Sequence, residues 1–217
     1  MFWHLLLAHF ISDYPLQSDW MVKNRSRLRV RLLHGLIHFG LMVGLTFPAS
    51  LRVWPFLLML AGIHLAIDLM KGWSTGRLPE WNPAMYVVDQ AIHYVTIGLF
   101  AFWSVSYATA DPLISRPVVL VVMGFLLVTY IWLITERIIF AGHPGADELA
   151  ASAWPRAWIR GGLLALILFS WYSLFPITIM LVIQLPYPAT RSGARALLID
   201  VLVTLAVAGL VITVNWV

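Results

Sequence analysis

The sequence predicts an all-α integral membrane protein, a single helical bundle with six or seven transmembrane segments. Hydrophobic residues make up 61% of the 217 residues and charged residues 11%, whereas soluble domains contain about half and about a quarter. The apolar residues occur in runs long enough to cross a bilayer, separated by short polar or basic segments. We therefore predict one membrane domain over residues 1–217, with a polar-site half at 1–107 and a mostly apolar half at 108–217.

Four spans are predicted in the first half. Residues 2–14 form a short apolar run that Pro15 interrupts, so this segment either spans the membrane or re-enters it. A basic segment at 23–31 follows, with five lysine and arginine residues. Longer apolar runs then predict spans over residues 32–47, 54–70 and 84–107.

The second half is predicted to pack within the bundle or against a partner, either a second copy of the chain or another membrane protein. Trp154 and Trp158 place the stretch 142–160 at the membrane interface, where tryptophan is enriched. Three further spans are predicted over residues 118–140, 163–183 and 197–217. Pro176 predicts a kink in the second of these.

The basic segment at 23–31 predicts a multi-pass protein of the cell inner membrane with its basic loops in the cytoplasm. With the spans alternating from there, most other cationic residues also fall inside. The same alternation predicts Arg156 and Arg160 on the inner side and Asp200 on the outer side. We interpret the basic segment as a contact for anionic membrane lipids. We exclude nucleic acid as a partner, because no aromatic ladder or binding motif accompanies the charges.

Four pairs of ionisable residues interrupt the apolar runs of the first half. The members of each pair are four residues apart, so they share one face of a helix. The pairs are His9 with Asp13, His34 with His38, His64 with Asp68, and Asp89 with His93. The predicted topology puts every pair within roughly 5–15 Å of the cytoplasmic end of its helix. Because such groups are costly in hydrocarbon unless they are paired, we expect the pairs to meet in one layer.

Imidazole and carboxylate groups in one layer of a helical bundle predict a metal site. These ligands suit zinc, manganese or iron, and a chain without cysteine offers no thiolate. All eight paired residues are candidate ligands, which is enough for one or two divalent metal ions. Two alternatives stay open at this point, a relay for protons or ions and a structural polar network.

Four residues in or near the pairs have candidate roles in catalysis or substrate binding. Asp13 is the candidate general base if it is not a ligand. Lys71 follows Asp68 by three residues; its ammonium group either reaches the inner headgroups, pairs with Asp68, or holds an anionic substrate. Gln17 and Gln90 are candidates for binding substrate in the same pocket. Other chemistries lack support, since Gly-x-Ser-x-Gly, P-loop and His-Glu-x-x-His motifs are absent from the sequence.

These motifs resemble a group of prokaryotic integral membrane proteins, the domain-of-unknown-function family 3307. The resemblance covers about the first half of the chain and implies a shared site without naming a reaction. It lies in the segments His9–Gln17, Asp19–Lys23 and His34–His38, in His64-x3-Asp68-x2-Lys71, and in Asp89-Gln90-x2-His93. The pairs at helix ends are also similar to those of membrane-bound metal-dependent hydrolases.

The predicted function is a metal-dependent hydrolase that acts on an anionic, lipid-linked or membrane-proximal substrate from a cytoplasm-facing pocket. The first alternative is a transporter of metal ions or protons, which would need polar groups through the full depth of the membrane. The second alternative is a non-catalytic membrane subunit whose polar layer fixes the packing of the helices.

Overall fold

All regular structure in the described part of the chain is helical, which confirms the predicted all-α class. The computed structural model describes residues 1–75, 82–104, 106–108, 110–143, 146–169, 187 and 191–216. The helices in these ranges are α1 (Phe2–Asp13), α2 (Asp19–Lys23), α3 (Leu28–Leu45), α4 (Ser50–Thr75), α5 (Asn82–Ser104), α6 (Arg116–Leu126), α7 (Trp132–Ile139), α8 (Ala146–Ala151), α9 (Ala153–Leu168) and α10 (Arg191–Trp216). A π-helical turn, Leu127–Ile131, connects α6 to α7.

Five helical segments are long and apolar enough to cross a membrane, which confirms a multi-pass membrane protein. They are Leu28–Leu45, Ser50–Lys71, Pro83–Ser104, Arg116–Ile139 and Gly193–Asn215, in the described part of the chain. The 12-residue helix α1 occupies the position of the predicted first span. The 16-residue helix α9 begins within the predicted interfacial stretch 142–160 and covers only residues 163–168 of the predicted sixth span. The rest of the predicted sixth span, residues 170–183 with the kink at Pro176, lies outside the described residues.

The chain divides into two compact units, Met1–Val119 and Leu120–Val217. The prediction of a single membrane domain stays a prediction. In the first unit, α1 packs against α3 and α5, and α4 packs against the same two helices. The four helices therefore form a closed ring of contacts, with a shared interior onto which one face of each helix can project.

Helix α1 is buried on nearly all sides within the first unit. Its consecutive residues from Leu5 to Phe10 are all buried, as expected for a helix that is apolar all round. The helix ends at Asp13, two residues before Pro15, because a proline ring disfavours helical geometry in the residue that precedes it. This end leaves the Asp13 carboxylate inside the ring of helices.

Helix α3 turns a polar stripe inward and leucines outward. Its buried residues recur at every fourth position, Val30, His34, His38 and Met42. Leu32 and Leu36, between them in sequence, are 50% and 63% exposed. Ionisable residues of membrane helices face the bundle interior in this way, because hydrocarbon does not solvate them.

In the second unit, α9 packs against α10 and against the π-helical turn. Val128, Leu164 and Ala208 form a fully buried cluster between these elements. Small residues allow the close approach, as is usual between membrane helices. A Cβ atom added at Gly161 would lie 3.1 Å from the Thr129 side chain.

We predict that Gly124→Ala destabilises the second unit. An added Cβ would lie 3.0 Å from a Val211 methyl and 3.4 Å from a Leu164 methyl, so these side chains must move. Overpacking of this kind costs about 1–3 kcal/mol. The measurement is the thermal unfolding midpoint in detergent, with Gly209→Ala on α10 as the matched control, because an added Cβ there meets nothing within 4 Å. Equal midpoints for the two variants would contradict the prediction.

Candidate metal centre

Each helix of the four-helix ring contributes one of the predicted pairs. The pairs lie at the end of α1, in the first half of α3, in the second half of α4 and in the first half of α5. Antiparallel neighbours bring these positions to one end of the ring. All five histidines of the pairs and Asp89 are at most 5% exposed. The side chains of Asp13 and Asp68 are 12% and 27% exposed. The structure thus brings all eight predicted residues together.

The Asp13 carboxylate is surrounded by imidazole rings from α3 and α4. Its Oδ1 lies 2.7 Å from His38 Nε2, 3.3 Å from His34 Nε2 and 3.6 Å from His64 Nε2. His34 Nε2 lies a further 3.2 Å from His38 Nε2 and 3.4 Å from His64 Nε2. Four potential ligand atoms therefore converge on a single point.

The spacing of these four atoms fits a metal ion. In a tetrahedral zinc site, bonds of about 2.0–2.1 Å place neighbouring ligand atoms about 3.3–3.4 Å apart. The five interatomic distances given above run from 2.7 to 3.6 Å. The protonation of the rings agrees with this geometry. The Nε2 atoms of His34 and His38 lie only 3.2 Å apart, so they cannot both carry a hydrogen without repulsion. A cation at the point of convergence would accept the lone pairs of His34 and His38 together.

A second group of potential ligands lies on α4 and α5. His93 Nδ1 donates a hydrogen bond to the Asp89 backbone carbonyl at 2.8 Å, so the neutral ring presents a lone pair at Nε2. This Nε2 is buried without a hydrogen-bond partner, 3.8 Å from Asp68 Oδ1. Asp89 Oδ1 is also buried without one. These two buried acceptor atoms, each without a donor, are suited to face a cation.

Asp68 connects the two groups. Its Oδ2 lies 3.4 Å from His64 Nε2 and 3.6 Å from His34 Nε2, while its Oδ1 faces His93. One carboxylate that points its two oxygens at two clusters of ligands is the arrangement by which helical bundles hold pairs of metal ions. The spacing of the pairs in the sequence did not predict that Asp68 would lie between the two groups of ligands.

Gln90 binds several groups behind the histidines. Its Oε1 lies 3.4 Å from His9 Nε2 and accepts hydrogen bonds from the hydroxyls of Tyr14 and Tyr94. Its amide nitrogen donates to Asp89 Oδ2 at 3.2 Å. The two tyrosines were not predicted, although each directly follows a paired residue in the sequence. Gln90 therefore orients His9 and Asp89, as outer partners of metal ligands do.

A comparison with models of protein families matches residues 1–135 to the DUF3307 family, described as a protein of unknown function. The chain belongs to this family. The matched range contains all four pairs together with Gln17, Lys71 and Gln90. A search of curated proteins and a search of solved structures each found no significant match. The similarity to membrane-bound metal-dependent hydrolases therefore stays a prediction, while membership of the DUF3307 family is confirmed.

A cavity of about 500 Å³ opens onto His34 and Asp68 of the candidate metal centre. Its other lining residues are Gln17, Met21, Val22, Arg25, Ser26, Val30, Arg31, Leu65, Leu69 and Lys71. Gln17 and Lys71 thus lie where substrate was expected, whereas Gln90 is not part of the lining. Arg25 and Arg31 were interpreted as lipid contacts of a loop, and the structure places them on the wall of this cavity.

Lys71 forms an ion pair with Asp89, with 2.7 Å between Nζ and Oδ2. Of the three interpretations of Lys71, pairing with Asp68 is therefore replaced by pairing with the aspartate of the neighbouring helix. The side chain remains 26% exposed and lines the cavity. Lys71 can consequently orient Asp89 and face a ligand in the cavity at the same time.

His4 lies in the first unit but outside the cluster. Its Nε2 donates a hydrogen bond to the Ile114 backbone carbonyl at 2.7 Å. Ser12, close to Asp13 in sequence, donates its hydroxyl proton to the Ala8 carbonyl at 2.8 Å. Both residues therefore have structural hydrogen bonds, and neither contributes to the arrangement of ligands.

The second unit contains a buried ionic network that corrects the predicted placement of Asp200. Asp200 accepts hydrogen bonds from Arg156 and Arg160 at 2.8 Å each. Residues in direct contact lie at one depth, so the prediction that the arginines and Asp200 lie on opposite sides of the membrane is wrong. Arg156 also pairs with Glu136 at 2.5 Å.

Two further contacts complete the network. The Tyr187 hydroxyl donates to Asp200 Oδ2 at 2.7 Å. Burial raises the pKa of Tyr187, and the hydrogen bond to Asp200 raises it further, so the hydroxyl remains a donor. Arg160 donates to the carbonyl of Val128 in the π-helical turn, where the wider turn disturbs the regular backbone ladder. These ionic residues lie beyond the range matched to the DUF3307 family.

Proposed function

We propose that this protein is a metal-dependent hydrolase of the inner membrane that acts on a lipid-linked or membrane-proximal substrate from the cytoplasmic side. The observation that carries the proposal is the position of Asp68. Its two oxygens face two buried groups of potential ligands, and its exposed edge lines the cavity of about 500 Å³. A pair of cations beside an open pocket is the arrangement that metal-assisted hydrolysis requires.

Two metal positions account for the eight paired residues. One would be held by Asp13, His34, His38 and His64, with His9 beside Asp13 at 3.6 Å. The other would be held by Asp68, Asp89 and His93. Bound zinc, manganese or iron would supply an acidified water molecule and polarise the bond to be cleaved.

Three residues of the chain would have distinct roles in metal binding and in the reaction. Asp13 is enclosed by three imidazole rings, which favours a role as ligand over the predicted role as general base. Asp68 would bridge the two metal positions, and its edge that faces the cavity would orient the water molecule there. Lys71 would hold Asp89 in position and balance negative charge on the substrate.

The apolar side of the histidine layer favours a binding pocket over a transport pathway. Beyond the rings, a cavity of only about 10 Å³ is lined by four apolar side chains and a single threonine along with four of the histidines. The non-histidine residues are Leu5, Met42, Leu60, Thr96 and Ile97. Transport would require polar groups to continue through this depth. The described residues here support a pocket that ends at the histidine layer.

The test is hydrolysis by protein purified without chelators, loaded with zinc, manganese or iron and reconstituted in nanodiscs. We expect turnover of at least one member of a panel of phosphoester, carboxylic ester and amide lipids. Asp68→Asn should lower the rate at least about 100-fold, because it removes the carboxylate that both metal positions share, and changes to the outer partners of ligands already cost about 10–100-fold. Asp111→Asn, at an exposed position of the same unit, is the matched control.

Two results would contradict the proposal. One is the absence of turnover on the whole panel while Asp68→Asn retains full function in cells. The other is metal-dependent ion flux in proteoliposomes that His64→Ala abolishes, which would establish the transporter instead.

A further inference from the structure

We infer that the cavity binds a phosphorylated lipid, with the phosphate at Arg25, Arg31 and Lys71 and the acyl chains along the apolar wall. This inference rests on the proposed hydrolase and names its class of substrate. The cavity combines three features that a lipid phosphate requires: cationic side chains, an apolar wall that reaches the surface, and direct access to the candidate metal centre.

The charge of the lining favours an anion. Among the described residues that line the cavity, three side chains are cationic and one, Asp68, is a carboxylate. Arginine forks bind phosphate oxygens in pairs, and a lysine ammonium adds a point charge. Because Lys71 is already paired with Asp89, Arg25 and Arg31 supply the positive charge that an anionic substrate would balance.

The guanidinium of Arg31 is already oriented within the protein. Its Nε donates to the Arg25 backbone carbonyl at 2.6 Å. This bond uses one nitrogen and leaves the other two available to donate to a ligand. Fixing the side chain beforehand lowers the entropy that binding would otherwise cost. Arg25 and Arg31 are thereby coupled on one wall of the cavity.

The apolar residues of the lining suit hydrocarbon. Met21, Val22, Val30, Leu65 and Leu69 contribute apolar side chains. Val22 and Leu69 are 44% and 41% exposed, so the apolar wall reaches the protein surface. Leu69 belongs to a candidate membrane span, which puts this opening beside acyl chains of the bilayer. A soluble phosphate ester would gain nothing from such a wall.

The depth and size of the cavity agree with a lipid headgroup. Its floor reaches His34 and Asp68 of the candidate metal centre, while its cationic wall belongs to the basic segment 23–31. Basic residues beside a span lie at the level of lipid phosphates. A volume of about 500 Å³ is typical of small-molecule sites. It suits a phosphate headgroup together with the first part of its acyl chains, which would follow the apolar wall out into the bilayer.

The test is binding of fluorescent dioleoyl phosphatidic acid to the full chain in phosphatidylcholine nanodiscs, with chelator present so that no turnover occurs. We expect retention of phosphatidic acid in preference to dioleoylglycerol with the same label. The double variant Arg25→Gln with Arg31→Gln should weaken binding by at least about tenfold. Arg27→Gln with Arg29→Gln is the matched control, because both arginines are exposed in the same basic segment and neither lines the cavity.

Each contrary result has a distinct meaning. Equal losses in the two double variants would reduce the effect to surface charge and overturn the inference. Equal retention of dioleoylglycerol would also overturn it, and so would full competition by inorganic phosphate, which would identify a soluble ligand. Lipid binding without hydrolysis in the metal-loaded assay would refute the proposed function alone. Hydrolysis of an uncharged lipid without phosphatidic acid binding would refute this inference alone.

Discussion

The His34→Ala variant is expected to lose bound metal from the first proposed position and to weaken the second. His34 Nε2 lies within 3.6 Å of carboxylate oxygens of both Asp13 and Asp68, and within 3.4 Å of two other histidine nitrogens. Removing the ring deletes one ligand and frees the bridging Asp68 to move. Changes to the outer partners of ligands already lower metal affinity about 10–100-fold, so we expect a loss of at least about 100-fold here.

Elemental mass spectrometry of protein purified without chelators or a histidine tag measures this loss. We expect one or two equivalents of zinc, manganese or iron in the wild type, and less than a tenth of that amount in His34→Ala after identical dialysis. His4→Ala is the matched control, since His4 is equally buried in the same unit but bonds the Ile114 carbonyl. Stoichiometric metal in His34→Ala would contradict the assignment. A wild type that binds none after reloading would favour a proton relay or a packing network.

The positions of the helices could be predicted from the sequence because each depends on a local property. The length of an apolar run sets the span, and Pro15 sets the end of α1. The spacing of four within each pair fixes a shared helix face wherever the helix packs. Topology then placed four such faces at one end, so the convergence of the eight residues followed from counting residues alone.

Contacts between helices could not be predicted in the same way. The sequence around Arg25 is the same whether its side chain touches lipid headgroups or lines a cavity. The other lining residues Leu65 and Leu69 belong to α4, and α3 separates them from Arg25 in the chain. Lys71 pairs with Asp89 and not with Asp68 because the packing of α5 against α4 brings the Asp89 carboxylate to the lysine. Sequence spacing carries no information on that contact between helices. The bridging position of Asp68 depends on the same packing.

The error at Asp200 has a separate cause. Counting charges treats each residue as independent and solvated, and in the second unit the two arginines neutralise two carboxylates inside the protein. Arg156 and Arg160 are 0% and 1% exposed, and Asp200 is 2% exposed. Buried charges that compensate one another say nothing about which loop is cytoplasmic. A pair of arginines four residues apart near an apolar helix could have indicated an internal partner.

Asp200→Asn is expected to be strongly destabilising, because it breaks a network whose charges balance. The network holds two arginines and two carboxylates, Glu136 and Asp200, so its net charge is zero. Neutralising Asp200 leaves two buried guanidinium groups facing Glu136 alone. Removing one partner of a buried ion pair costs about 3–5 kcal/mol, and here one carboxylate accepts from both arginines.

The free energy of unfolding in mixed micelles, followed by circular dichroism, measures this effect. Tyr187→Phe is the matched control, because it deletes one hydrogen bond to the same carboxylate and should cost about 1 kcal/mol. If the two variants lose similar stability, then water or lipid headgroups already solvate the arginines, and the network does not hold the helices of the second unit together. A several-fold larger loss in Asp200→Asn instead makes charge balance the dominant requirement at this position. Lysine or glutamine at Arg156 would then also be poorly tolerated, because neither preserves the fork that binds Glu136 and Asp200 together.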